Sequence, residues 1–309
     1  MRNRHTPPYD QTYRFTIDHE YSGKRLIDFY SERFDFKPRE YWSHLIERGD
    51  ITVNGQLAPQ EFILKIDDVT HTIRRDVTEP DVNASYQIIH QKDGLFIVNK
   101  PSPLPVHASG RYFKNSLLSI LREQYPGTTF HTIHRLDLWT TGVLLLATEP
   151  KIARHIHMQV ENQSLKKCYA VLAIGKFGDQ PFVVNVPIGR KNGVQRGFGE
   201  GITEARECVT EFTPLAHRDN ITLLKAVPIT GRTNQIRVHL QAAGGHVLHD
   251  PMYSTDPIPE EKMTFMGLHC REMRFKVLSG EAVSMTAPWP EGFLSVFPES
   301  QLTSLFKMD

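Results

Sequence analysis

His134-Arg135-Leu136-Asp137-Leu138-Trp139-Thr140-Thr141-Gly142 runs directly into Val143-Leu144-Leu145-Leu146, and the rest of the chain is read outward from this join. The apolar tail reads as a buried strand. Before it, a carboxylate sits in a polar segment that ends in glycine. Loops anchored by a strand are where reactive groups tend to be placed. Asp137 therefore has two readings, a reactive carboxylate or a residue that closes its own turn, as Asp commonly does. Arg135, Thr140 and Thr141 supply hydrogen-bonding groups nearby.

Further apolar runs at 95–98, 169–174 and 221–227 predict more strands. Helical spacing is visible at 116–123, 151–163 and 232–243. Pro150 opens the second of these and Gly244-Gly245 closes the third. Strands interleaved with a few helices predict an α+β domain with a mixed or antiparallel sheet as its spine, and helices and loops flanking a central cleft.

Upstream lies a second compact segment. Leu26, Ile27, Phe29 and Tyr30 have helical spacing, as do Tyr41, Trp42, Leu45 and Ile46 between Pro38 and Gly49. Ile51-Thr52-Val53 then meets Asn54-Gly55, a strong hairpin signal. Ile63, Ile66 and Val69 predict further short strands. Residues 1–12, with Pro7-Pro8, read as a loose arm. The polar stretch from Arg74 to Tyr86, with Pro80, reads as linker. The expected organisation is a small domain over 14–75, a linker over 76–86 and a large domain over 87–309.

The composition excludes several classes. Apolar residues make up 39% of the 309 positions and charged residues 23%, as in a globular protein rather than a disordered one. No apolar run approaches a bilayer span, so no membrane partner is expected. The basic start Met1-Arg2-Asn3-Arg4-His5 leads into polar residues, unlike a secretory leader. Three scattered cysteines fit a reducing cytoplasm rather than a disulfide or zinc framework. The fifteen histidines lack metal-ligand spacing, so no metal is expected. The net charge of +1 does not advertise a polyanion partner; local clusters must do that. One is the glycine-containing run from Arg190-Lys191-Asn192-Gly193 to Arg196, readable as a phosphate track or as an ordinary hairpin loop.

The segment His134-Arg135-Leu136-Asp137-x-x-Thr140-Thr141-Gly142 resembles the signature of the RluA family of pseudouridine synthases, with Thr141 where that family usually has Ser. Four more segments are similar to the family's motifs and come in the same order. They are Val98-Asn99-Lys100-Pro101 with Leu104-Pro105-Val106-His107; Lys167-Cys168-Tyr169; Gly231-Arg232-Thr233-Asn234-Gln235-Ile236-Arg237-Val238-His239-Leu240; and Asp250-Pro251-Met252-Tyr253. Asn234 stands where the family usually has His. The resemblance implies that Asp137 is the catalytic carboxylate, that Tyr169 stacks on the target base and that Arg237 pairs with Asp137. Arg135 would fill the gap left by an extruded nucleotide. Thr141 and Ile236 would border the substrate, and Lys167 and Arg232 the RNA. Gly23-Lys24-Arg25-Leu26, the following helix and Ile51-Thr52-Val53-Asn54-Gly55 resemble an S4 RNA-binding domain, in which Lys24, Arg25 and Arg39 are candidates for phosphate contact or solvated surface charges.

The implied reaction breaks the N1 glycosidic bond of uridine and rejoins the base through C5. The base must leave its stack first. A flat ring such as Tyr169 would hold it, with Tyr169 as an ordinary core residue the alternative. A carboxylate in a partly dry cleft needs a cation beside it to stay charged, and Arg offers a planar fork to two oxygens. The change is an isomerisation, so no cofactor is expected. RNA is the expected partner, large-subunit ribosomal RNA before tRNA, acted on by a monomer. A glycoside hydrolase would need a second carboxylate in the Asp137 loop. A non-catalytic S4-type RNA-binding protein would have no need for Asp137, Tyr169 and Arg237 together.

Overall fold

The computed structural model describes residues 3–193 and 195–306. Met1 and Arg2 of the basic N-terminal run, and Val194 within the 190–196 run, lie outside the described residues. The chain divides into two compact units, Thr6–Glu79 and Met1–His5 with Pro80–Asp309.

In the smaller unit two helices, Leu26–Arg33 and Arg39–Glu47, accompany a four-stranded antiparallel sheet. The strand order is Tyr9–Thr16, Val69–Val77, Ile51–Val53, Gln56–Leu57. Asn54 and Gly55 both take positive φ, 51° and 78°, and close the expected tight hairpin between the last two strands. The core is rich in rings: Phe34 packs against Phe15, Phe29, Tyr30 and Trp42. Among the described residues, 3–12 are not a loose arm. Tyr9–Thr16 pairs with Val69–Val77, and Asn3–Arg4 pairs with Val82–Asn83 in the larger unit. The stretch from Arg74 to Tyr86 is likewise not featureless, because strand structure continues to Val77 and resumes at Val82. The boundary between the units falls at Glu79 and Pro80.

The larger unit is built on one extended sheet. Its path runs Phe182–Asn185, Val209–Arg218, Ile221–Pro228, Lys166–Ile174, Leu268–Lys276, Thr141–Ala147, Leu95–Lys100, Gln87–Lys92. The pairings along this path are antiparallel except one: Thr141–Ala147 lies parallel to Leu268–Lys276. Val143 to Ala147 are fully buried, which is why this strand carries no polar alternation. Helices Leu117–Gln124, Pro150–Glu161 and Gln235–Ala242 flank the sheet. This is the α+β, mixed-sheet architecture expected from the sequence.

The parallel step lies next to the Asp137 loop. Gly142 faces Cys270 across it, with φ 111°. A Cβ there would lie 2.2 Å from the Cys270 carbonyl oxygen. Only glycine tolerates both the dihedral and the approach. Gly142→Ala should therefore lower stability by at least about 2 kcal/mol, from backbone strain and overpacking together. Urea unfolding monitored by circular dichroism would measure it; an unchanged midpoint would show that the strand can separate at no cost.

Candidate active site

The Asp137 loop, the start of the Lys166–Ile174 strand and the segment leading into helix Gln235–Ala242 converge on a cavity of about 280 Å³. Asp137, Tyr169, Arg237, Arg135, Ile236, Lys167 and Arg232 all line it. Main chain closes the turn, Thr140 N–H donating to the Asp137 carbonyl at 3.1 Å. The Asp137 carboxylate is thereby left to a side-chain partner. Arg237 Nη1 donates to its Oδ2 at 3.0 Å, and the carboxylate remains about a quarter exposed.

Arg237 is buried, and its planar fork is not aimed at Asp137 as expected. Nε and Nη2 donate to the two oxygens of Asp250, each at 2.7 Å. Asp250 is completely buried and also accepts the main-chain N–H groups of Met252 and Tyr253. Burial works against the charge on Arg237, but the hydrogen bonds and charge of Asp250, with those of Asp137, outweigh it and hold the guanidinium firmly protonated. Tyr253 lies under the guanidinium, its ring centre 4.8 Å from Cζ. Asn234 Oδ1 accepts from Arg237 Nη1 at 3.1 Å, and Asn234 Nδ2 donates to the Tyr253 hydroxyl at 2.9 Å. Sequence reading gave no role to Asp250, Tyr253 or Asn234. The signal was present, since Asp250 and Tyr253 belong to a recognised motif.

Tyr169 is 8% exposed yet lines the cavity, so core packing and a site role coexist in one residue. Burial, reinforced by the neighbouring Cys270 thiol and the charge of Asp137, pushes its phenol well above the ordinary range. The hydroxyl thus stays protonated at neutral pH. Thr141, expected at the substrate, does not line the cavity. Its hydroxyl shares a 2.8 Å hydrogen bond with Nδ1 of buried His269, and Thr140 lines the cavity in its place. The period-two geometry of the strand that begins at Thr141 accounts for the exchange, since consecutive side chains point to opposite faces.

Two polar side chains fix the loop, Lys100 fully buried and His134 half-buried. Lys100 Nζ donates to the carbonyls of Pro101, Leu104 and Leu138, at 2.9, 2.7 and 3.3 Å. It thereby ties the residue after Asp137 to the end of the Leu95–Lys100 strand. Burial brings its pKa down to about 7, against the opposing charge of Asp137. His134 Nε2 accepts the Leu145 N–H at 3.1 Å, which requires a neutral ring; burial, with the nearby charge of Lys167, keeps it neutral.

In the smaller unit the candidate phosphate contacts are already engaged. Arg25 and Arg39 donate to Asp28 at 2.6 and 2.7 Å, and Lys24 pairs with Glu32. Among the described residues no group of three His, Cys, Asp or Glu side chains is placed to hold a metal ion, and no helix is long and apolar enough to cross a membrane.

Comparison with known proteins shows the class to which this fold belongs. Residues 94–242 match the model of the RNA pseudouridylate synthase family. The chain is 30% identical over 297 residues to ribosomal large subunit pseudouridine synthase C of Pasteurella multocida, covering 88% of this chain and 89% of that protein. It is 31% identical over 263 residues to the mitochondrial tRNA pseudouridine(32) synthase of Saccharomyces cerevisiae, covering 82% of this chain and 56% of the yeast protein. The solved structure of human RNA Pseudouridylate Synthase Domain Containing 1 superposes with a TM-score of 0.59 at 25% identity, covering 69% of this chain and 87% of that one. The chain belongs to the RNA pseudouridylate synthase family. It spans 46% to 65% of the length of several eukaryotic relatives.

Two outcomes follow from the site. Asp250→Asn leaves a buried guanidinium short of a full counter-charge and should cost about 3–5 kcal/mol in denaturant unfolding; a loss below about 1 kcal/mol would show that Asp137 alone suffices. His269 is fully buried, and burial, with the charge of Arg271, pushes its pKa down from 6.5 to about 3. Below pH 6.5 the unfolded chain binds a proton that the folded chain refuses. Stability should therefore fall as pH drops from 6.5 towards 3, by up to about 1.4 kcal/mol per unit from this residue. His269→Gln should flatten that part of the pH–stability curve, and an unchanged slope would exclude His269 as its source.

Proposed function

We propose that this protein is an RNA pseudouridine synthase in which Asp137 is the carboxylate that acts on the glycosidic bond of an extruded uridine. The observation that carries the reading is the cavity where Asp137, fixed at 3.0 Å by a buried Arg237, faces the same space as the Tyr169 ring. A flipped pyrimidine needs a flat apolar surface to replace its lost stacking, a contact worth roughly 1–3 kcal/mol per base. Tyr169 offers that surface and Ile236 lines the same cavity. Arg135 is exposed at the cavity's edge, suited to enter the space the nucleotide vacates. The chemistry needs no hydride, phosphoryl group or metal-bound water.

The substrate we favour is large-subunit ribosomal RNA, with tRNA second. The Pasteurella protein, aligned over nearly its whole length, is named for the large ribosomal subunit; the yeast relative, aligned over about half, is named for tRNA. The smaller unit, read as an S4-like RNA-binding domain, supports a structured RNA target through its two helices and Asn54-Gly55 hairpin. Three buried free cysteines fit action in a reducing cytoplasm.

Asp137→Asn keeps the shape of the site but removes the charge. Pseudouridine formation should fall by about a thousandfold or more, while the melting temperature changes little. Mapping pseudouridines in ribosomal RNA and tRNA from cells with wild-type, Asp137→Asn or no protein identifies the target. Full modification by Asp137→Asn would favour a non-catalytic RNA-binding protein.

A further inference from the structure

A second cleft, of about 320 Å³, adjoins the Asp137 cavity and shares Gly231, Arg232 and Thr233 with it. It is lined by Arg190, Arg196, Arg206 and Arg232, with Glu204 as its acid and Ile188 at its base. Three come from one small sheet of strands Gln195–Gly197, Ile188–Asn192 and Thr203–Arg206. Arg190 stands opposite Arg196, and Ile188 opposite Arg206. A register shift falls between Ile188 and Arg190, and the four arginine side chains border one cleft across it.

Such a face is unfavourable without an anion. Arg190 pairs with Glu204 at 3.1 Å. The four arginines less that one glutamate leave three positive charges on one cleft. Like charges placed opposite each other across strands destabilise a sheet. Arg4 meets Glu123 and Arg111 meets Glu260 elsewhere in this unit, whereas Arg218 and Arg271 donate to main-chain carbonyls; the cleft differs in bringing four arginines together. Moreover, the cleft is fixed relative to the active site. Ile188 packs with Cys208, Val238 and Tyr253, and the Arg196 main-chain N–H donates to the Tyr253 hydroxyl at 3.1 Å. Asn234 donates to the same hydroxyl and accepts from Arg237.

We propose that this arginine cleft seats one or two phosphodiester groups of the RNA strand beside the nucleotide held in the Asp137 cavity. Arginine suits that ligand because its planar fork matches two phosphate oxygens. Arg232, common to both cavities, sits where the strand passes from one to the other. The seat takes backbone, not bases, so it sets the distance from strand to carboxylate without reading sequence. The proposal rests on the reading of the protein as an RNA pseudouridine synthase.

The test uses the full chain and a fluorescein-labelled heptauridylate as probe, with binding followed by anisotropy from low to moderate salt. Replacing Arg196→Gln and Arg206→Gln together should weaken binding about tenfold and reduce the slope of log affinity against log salt by roughly 0.7–1.4, one to two phosphates' worth. Replacing both by Lys should retain the slope. If the paired Gln variant loses its native circular dichroism, Arg206→Gln alone is read, with an expected slope change of about 0.7. Affinity and slope equal to wild type in the Gln variants would overturn the seat. Pseudouridine formation in total RNA is scored in parallel to separate the two claims. Wild type that binds through these arginines yet forms no pseudouridine would sink the reaction and leave the anion site. Wild type that isomerises uridine while its binding ignores the arginines would sink the seat and leave the reaction.

Discussion

A single guanidinium shared between two carboxylates organises the larger unit. Arg237 is buried, and an unpaired charge at such a depth would be costly. Asp250 meets that requirement with a two-pronged pair and is itself held by two main-chain N–H groups. This division decides what remains for chemistry. With Nε and Nη2 fixed on Asp250, only Nη1 reaches forward, and it reaches Asp137. Asp137 thus faces a cation whose position does not depend on Asp137. The acid that holds the arginine is therefore not the acid that lines the cavity.

The sheet supplies the other half of the placement. Most of its pairings are antiparallel, and the exception is the step at Thr141 and Gly142. Both partner strands there run in the same direction, so the Asp137 loop enters at the same end as Leu268, which also lines the Asp137 cavity. The strand can come this close because Gly142 has no side chain. Lys100 then ties the loop's Leu138 carbonyl to the neighbouring strand from the opposite side. A buried amine held on three carbonyls is a costly brace, since burial brings its pKa down to about 7. Its presence indicates how tightly the loop must be located.

Much of this was legible in the sequence, for reasons particular to each segment. The 143–147 strand is apolar throughout because both its faces are covered, and Gly49 and Asn54-Gly55 mark turns that need positive φ. One strand of the smaller unit was hidden, and another was visible only at its start, Val69. In Tyr9–Thr16 the inward positions are Tyr9, Gln11, Tyr13 and Phe15; the glutamine and the preceding prolines mask the alternation. In Val69–Val77 the buried positions are Thr70, Thr72 and Val77, Thr72 being bonded to the Tyr30 hydroxyl, so through the first half of the strand the apolar residues lie out of phase with burial. The site was visible as residue types in motifs, but not as partnerships. Nothing in the spacing of Arg237 and Asp250 says that the fork belongs to Asp250, because that follows from depth, which only the folded sheet defines.

Asn234 shows how one substitution within a motif can be absorbed. It precedes helix Gln235–Ala242 with φ 58° and ψ 19°, a left-handed conformation that asparagine tolerates better than most residues. Its side chain does not cap the helix, because both ends of the amide are engaged elsewhere: the oxygen with Arg237, the nitrogen with Tyr253. An amide carries an acceptor and a donor on one planar group, which is what a bridge between a guanidinium and a phenol oxygen requires. A neutral imidazole has the same pair of functions, farther apart on a larger ring. Asparagine supplies both functions within one amide. Tyr253, at the far end, also accepts the Arg196 N–H, so one hydroxyl joins the arginine-bearing hairpin to the amide that meets Arg237.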